Sequence, residues 1–172
     1  MKRIIVFGSS RGEGNTALIA RYLGDKLGCP VRDLNDYPMV PYAYDNVYPE
    51  NDRYLALMEE LVGYHEWLLV SPVYWYAMSA QMKIFFDRIS QVLRHREDLL
   101  EALHGTRMWA ICVSSDSDEI PGFFEPFRLS AKYLHMDYLG YLHAWGGREQ
   151  QLKPAVKLRL DSFIRRLPQL PE

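Results

Sequence analysis

Short apolar runs alternate with stretches whose apolar residues recur at helical spacing along the whole chain, and this alternation restricts the fold more than any other feature. Ile4 to Phe7, Val31 to Leu34, Trp67 to Val70, Met108 to Val113 and Tyr138 to Trp145 read as strands. Thr16, Ile19, Ala20, Leu23 and Leu27 predict a first helix, with Gly28 as its stop signal. Tyr54, Leu55, Met58, Leu61 and Val62 mark a second, and Met78, Met82, Phe85, Phe86, Ile89 and Leu93 a third, the clearest of all. Phe123, Phe127, Ser130 and Leu134 share the face of a fourth, and Leu152, Val156, Leu160, Phe163, Ile164 and Leu167 define the last. Met108 to Val113 is continuously apolar, as a parallel strand covered on both faces should be. Five strands and five helices joined by right-handed crossovers leave few topologies. The short, charged second run belongs at an edge, which gives the strand order 2-1-3-4-5.

The chain of 172 residues fits one domain, and 48% hydrophobic with 24% charged residues describes an ordinary globular protein. A formal net charge of -2 gives no general electrostatic reason to expect nucleic acid or an anionic membrane as partner. Cys29 and Cys112 lie far apart, and Cys112 sits in an apolar run where a free buried thiol is common, so a reducing cytoplasm is the expected compartment. Met1-Lys2-Arg3 leads into an apolar run of four residues and then Ser9, Ser10 and Arg11, too short for a signal peptide, and no apolar stretch approaches the roughly 20 residues of a membrane helix.

Two loops carry the chemistry. Gly8-Ser9-Ser10-Arg11-Gly12-Glu13-Gly14-Asn15-Thr16 follows the first strand and opens a helix. Backbone N–H groups at a helix start, the hydroxyls of Ser9 and Thr16 and the fork of Arg11 suit an anion, and Gly12 and Gly14 let the backbone curl around it. Ser71-Pro72-Val73-Tyr74-Trp75-Tyr76-Ala77-Met78-Ser79 follows the third strand, stiffened by proline and carrying three consecutive aromatic rings. In an open α/β sheet of this order, ligands sit beyond the carboxyl ends of the first and third strands, and such a loop suits a flat conjugated molecule. Tyr74, Trp75 and Tyr76 would serve equally well as core or interface residues.

At these loops the chain resembles the flavodoxin-like NAD(P)H-dependent FMN reductases, relatives of quinone, azo and nitro reductases. The matching motifs are Gly8-Ser9-Ser10-Arg11 with Gly14-Asn15-Thr16, and Ser71 to Tyr76 with Met78 to Lys83 and Phe86-Asp87-Arg88. The resemblance implies a flavodoxin-like doubly wound five-stranded parallel sheet with helices on both faces. It places the FMN phosphate at Ser9, Arg11, Gly14, Asn15 and Thr16, and the backbone of Pro72, Val73, Tyr74, Trp75 and Tyr76 along the pyrimidine edge of the ring. A third loop, Ser114-Ser115-Asp116-Ser117-Asp118-Glu119, would reach the ring through Ser114 and Ser115, its acidic residues standing in solvent. It further implies NAD(P)H as co-substrate, a small electron acceptor such as a quinone, an azo or nitro compound or free flavin, and a homodimer. The cofactor carries the hydride chemistry, so no side chain is assigned as catalytic.

The alternative of another class is a flavodoxin-type one-electron carrier, whose phosphate loop alternates Thr or Ser with Gly and lacks an Arg11, and whose charge is strongly acidic. No Gly-Lys-Ser/Thr ending follows Gly8, and no G-x-G-x-x-G occurs. The five histidines are not spaced as ligands with Cys or carboxylates, so no metal is expected, and the Tyr- and Pro-rich stretch from Asn35 to Asn51 lacks the cysteines of iron-sulfur relatives. That stretch would overhang the flavin, reach a partner subunit or simply connect. Lys83, Asp87 and Arg88 read as solvated or interface charges.

Overall fold

Every apolar run expected to be a strand joins one sheet. In the computed structural model, which describes residues 2–147 and 151–168, β1 (Arg3–Phe7), β2 (Val31–Asp33), β3 (Glu66–Pro72), β4 (Arg107–Ser114) and β5 (Asp137–Trp145) lie in the order β2-β1-β3-β4-β5. All pairings are parallel. This is the flavodoxin-like doubly wound arrangement, and β2, only half-buried, is its short edge.

Side chains alternate across each strand, so one strand feeds two cores. Ile5, Phe7, Leu68, Val70 and Ile111 face α1 (Asn15–Leu27) and α7 (Pro154–Arg166), where Ile19, Leu23, Leu160 and Phe163 meet them. Ile4, Val6, Trp67, Leu69, Met108 and Cys112 face the other way, against α2 (Tyr54–Leu61), α3 (Ala80–Asp87), α4 (Ile89–His95), α5 (Glu97–Ala102) and α6 (Glu125–Tyr133). Phe85 and Phe163 are fully buried, and each such side chain contributes roughly 1.5–3 kcal/mol. The result fixes β1, β3, β4 and β5 rigidly, with their carboxyl ends at one rim.

The single helix expected from Met78 to Leu93 is divided into α3 and α4, and α5 follows as a helix the spacing did not predict, so seven α-helices rather than five flank the sheet among the described residues. Ser79 starts it by accepting a hydrogen bond from Met82 N at 3.1 Å, and the break falls at Arg88. Arg88 is not the solvated charge expected from sequence: it is fully buried. Its five N–H donors are all used. Nη1 donates to Val40 O (2.9 Å) and Asp52 Oδ2 (2.7 Å), Nη2 to Asp52 Oδ1 (2.9 Å) and Gln91 Oε1 (2.7 Å), and Nε to Gln91 Oε1 (3.2 Å). The guanidinium lies 3.6 Å from the Tyr48 ring centre and 4.7 Å from that of Tyr54. Arg88 thus anchors the Tyr- and Pro-rich stretch on the α2/α3 side of the sheet. Burial pushes the Asp52 carboxyl up, but its bonds from Arg88 and from the Val40 and Tyr54 amides hold it below the usual aspartate value. Lys83 and Asp87 form the exposed i,i+4 pair expected.

Candidate functional site

The first loop is built to leave donors free. An added Cβ at Gly8 would lie 2.9 Å from Leu34 Cδ1 and 3.0 Å from Met82 N, so only glycine lets β1 turn here. The loop's carbonyls are held from outside the cleft: Ser79 Oγ donates to Gly8 O (2.8 Å), Asn35 Nδ2 to Ser9 O (2.8 Å) and Arg21 Nη2 to Gly12 O (3.0 Å). Gly14, at φ 139°, then starts α1 with no side chain capping it. The N–H groups of the first helical turn therefore remain available, with the partial positive charge of the helix start behind them. Ser9 and Thr16 are buried at this end and Arg11 is exposed beside it. Asn15 has a second engagement that spacing does not reveal: its Nδ2 donates to Gly147 O at 3.0 Å, and a Cβ at Gly146 would fall 2.0 Å from its Cγ. It ties the first loop to the one after β5.

The second loop resolves the three aromatic rings. Tyr74 and Ala77 exchange both backbone hydrogen bonds, at 3.0 and 3.1 Å, and close a two-residue hairpin. Its central residues, Trp75 (φ 49°) and Tyr76 (φ 64°), are both left-handed, as a type I′ turn requires. Asn-Gly is the usual occupant, and bulky L-residues are strained there. Trp75 is 92% and Tyr76 75% exposed, so neither ring is core. Val73 N donates to Val113 O and Tyr74 N to Ala77 O, and Pro72 has no N–H. Among residues 72–76 the amide donors left without a partner are those of Trp75 and Tyr76, a narrower set than the sequence implied. Tyr74 turns toward the first loop, its hydroxyl 2.8 Å from Ser10 Oγ and 3.4 Å from Ser9 Oγ. Burial alone would raise this phenol, but the serine hydrogen bonds and nearby Arg11 bring it below the usual tyrosine value.

All the residues singled out in the three loops, from Ser9 and Arg11 to Ser114 and Ser115, line one open cleft of about 960 Å³ at the carboxyl rim of the sheet. The acidic run departs from expectation, because Asp116, Asp118 and Glu119 border the cleft as well as solvent. Ile120, Pro121, Gly146 and Gly147 also line it and were missed. The strand order itself held the missing signal, since β5 ends beside β4 and delivers Gly146-Gly147 to the same rim. Residues 35–51 do not line the cleft. They run from Asn35, which bonds the first loop at Ser9 O, to the anchor at Arg88.

The family model for NADPH-dependent FMN reductases matches residues 1–118, which carry β1 to β4, the first two loops and the third as far as Asp118. The chain belongs to that family. Over 157 residues it is 27% identical to the Bacillus subtilis protein named "Putative NAD(P)H-dependent FMN-containing oxidoreductase YwqN", covering 86% of this chain and 87% of that one. Solved structures share its fold. The Trp repressor binding protein of Bacillus subtilis superposes with a TM-score of 0.73 at 23% identity, covering 99% of this chain and 100% of that one. An NADPH-quinone reductase from P. pentosaceus does so at 0.70 and 17%, with the same coverage. This FMN reductase family member is thus an NAD(P)H-dependent, FMN-dependent oxidoreductase. No helix among its described residues is long and apolar enough to cross a membrane.

Proposed function

We propose that the cleft holds FMN with its phosphate at the start of α1 and its ring between the Trp75-Tyr76 turn and the Ser114-Ser115 loop. One observation carries this reading: an uncapped helix start beside Arg11 opens into the same cleft as two exposed rings on a strained turn. The residues fit the group. A phosphate would take the first-turn N–H groups, the hydroxyls of Ser9 and Thr16 and the Arg11 fork. The free amides of Trp75 and Tyr76 would donate where negative charge grows on the reduced ring, and Tyr74 would brace the two loops against each other. Bound FMN supplies the hydride chemistry, receiving two electrons from NAD(P)H and giving them to the acceptor. The chain's own part is to bind, orient and tune, and no side chain is assigned as acid or base.

The open cleft and its aromatic rim favour a small flat acceptor: a quinone, an azo or nitro compound, or free flavin. We further infer that residues 1–172 act as one domain, since both cores are faces of a single sheet, and that the protein is a cytoplasmic homodimer. Its two free thiols suit a reducing compartment, and exposed Leu129 and Tyr133 on α6 with Leu93 on α4 supply apolar surface for a second subunit. Anaerobic titration of the FMN-loaded protein with NADPH and NADH, followed by flavin absorbance, tests the function. Bleaching by at least one nucleotide, reversed by a quinone, is expected. Bound flavin that neither nucleotide bleaches overturns it.

A further inference from the structure

The third loop is held from beneath by a buried histidine that the hydride chemistry does not use. His143 on β5 is 1% exposed, and its Nε2 lies 2.7 Å from Ser114 Oγ at the end of β4. Ser114 Oγ also lies 2.6 Å from Asp116 O. A carbonyl oxygen only accepts, so the single hydroxyl proton of Ser114 points to Asp116 O. Nε2 of His143 must then carry a proton and donate to Ser114. The opposite tautomer would bury an N–H at Nδ1, which has no partner, and that costs more than a bare acceptor does. The side chain is thus a neutral imidazole, protonated at Nε2. Burial, helped by Arg159, whose Nε donates to His143 O at 2.7 Å, lowers the imidazole's tendency to take a second proton.

The direction of this relay fixes what the cleft meets. Ser114 Oγ gives its proton away and receives one from His143, so its remaining lone pair can only accept. Ser115 behaves alike, its Oγ donating to Asp116 Oδ2 at 2.9 Å. We propose that His143 is a positioning residue that sets Ser114 as a hydrogen-bond acceptor toward the cleft, so that the third loop reads an N–H or O–H group of the bound cofactor. This rests on the cleft being the FMN site.

A double-mutant cycle on FMN affinity tests it, read by quenching of flavin fluorescence, with thermal midpoints of the FMN-free proteins measured alongside. In the Ser114 background, His143→Leu is expected to weaken FMN roughly threefold to tenfold, the effect of one hydrogen bond. In the Ser114→Ala background the same substitution should change it less than about twofold. His143→Gln, which keeps an N–H near the Nε2 position, should restore wild-type affinity, and it is the variant to use if His143→Leu does not fold. An equal loss in both backgrounds, no loss in either, or failure of Gln to restore affinity at an unchanged thermal midpoint overturns the proposal. Wild-type protein that binds no FMN overturns the cofactor site itself, a different result from unaltered binding in the His143 variants.

Discussion

Replacing Trp75 by Asn together with Tyr76 by Gly should make the FMN-free protein more stable and a worse flavoprotein. Both positions have positive φ, 49° and 64°, which costs an L-residue roughly 1–2 kcal/mol each and suits Asn and Gly. Little is lost in return, because the two rings are 92% and 75% exposed and bury almost no area against the chain. Glycine also enlarges the freedom of the unfolded chain, which offsets about 0.5–1 kcal/mol. The net expectation is a gain of roughly 1–3.5 kcal/mol, or about 2–14 °C in thermal midpoint for a chain of this size. FMN affinity should meanwhile fall about tenfold or more, since each aromatic contact with a stacked ring contributes on the order of 0.5–1.5 kcal/mol. Urea unfolding of the FMN-free variant and fluorescence titration with FMN read the two effects separately. A variant less stable than wild type would refute the strain argument, and one that is stabilised but binds FMN unchanged would refute its link to the cofactor.

Arg11→Ala should weaken FMN by about 1.5–3 kcal/mol, one to two decades, in a titration that leaves riboflavin affinity nearly unchanged. Gly8→Ala forces a Cβ to within 2.9 Å of Leu34 Cδ1 and 3.0 Å of Met82 N, and should lower both the thermal midpoint and FMN affinity. Arg88→Leu strands Asp52 without its partner and should cost roughly 3–5 kcal/mol in denaturant unfolding, whereas FMN contacts are left in place. Because the folded Asp52 carboxyl titrates below its unfolded value, its contribution is complete above about pH 3.9 and is lost as pH falls through the lower folded value. The stability gap between wild type and Asp52→Asn should accordingly shrink in that acid window, as measured by urea unfolding at successive pH values.

Ile4 to Phe7, Trp67 to Val70 and Met108 to Val113 were legible as strands because burial on both faces leaves nothing but apolar residues, and their order then placed three loops at one rim. What escaped the sequence depends on distant partners. The amphipathic period runs unbroken through Ile89, so the break at Arg88 is invisible until Asp52, Val40 and the Tyr48 and Tyr54 rings are seen around it. Aromatic residues carry no signal for left-handed backbone, and the turn at Trp75-Tyr76 is imposed by the exchange of hydrogen bonds between Tyr74 and Ala77. The relay from His143 through Ser114 joins residues 29 apart in sequence, opposed only because β4 and β5 are neighbours. Asp116, Asp118 and Glu119 looked like a solvated run since their charges reveal nothing about which side of the loop meets the cleft.

The most direct measurement is a crystal structure of the chain grown with FMN. Electron density is expected for the phosphate at the amides that open α1, beside Arg11, and for the ring between the Trp75-Tyr76 turn and Ser114. Density for FMN elsewhere on the protein, or in this cleft with the phosphate pointing away from α1, would contradict it.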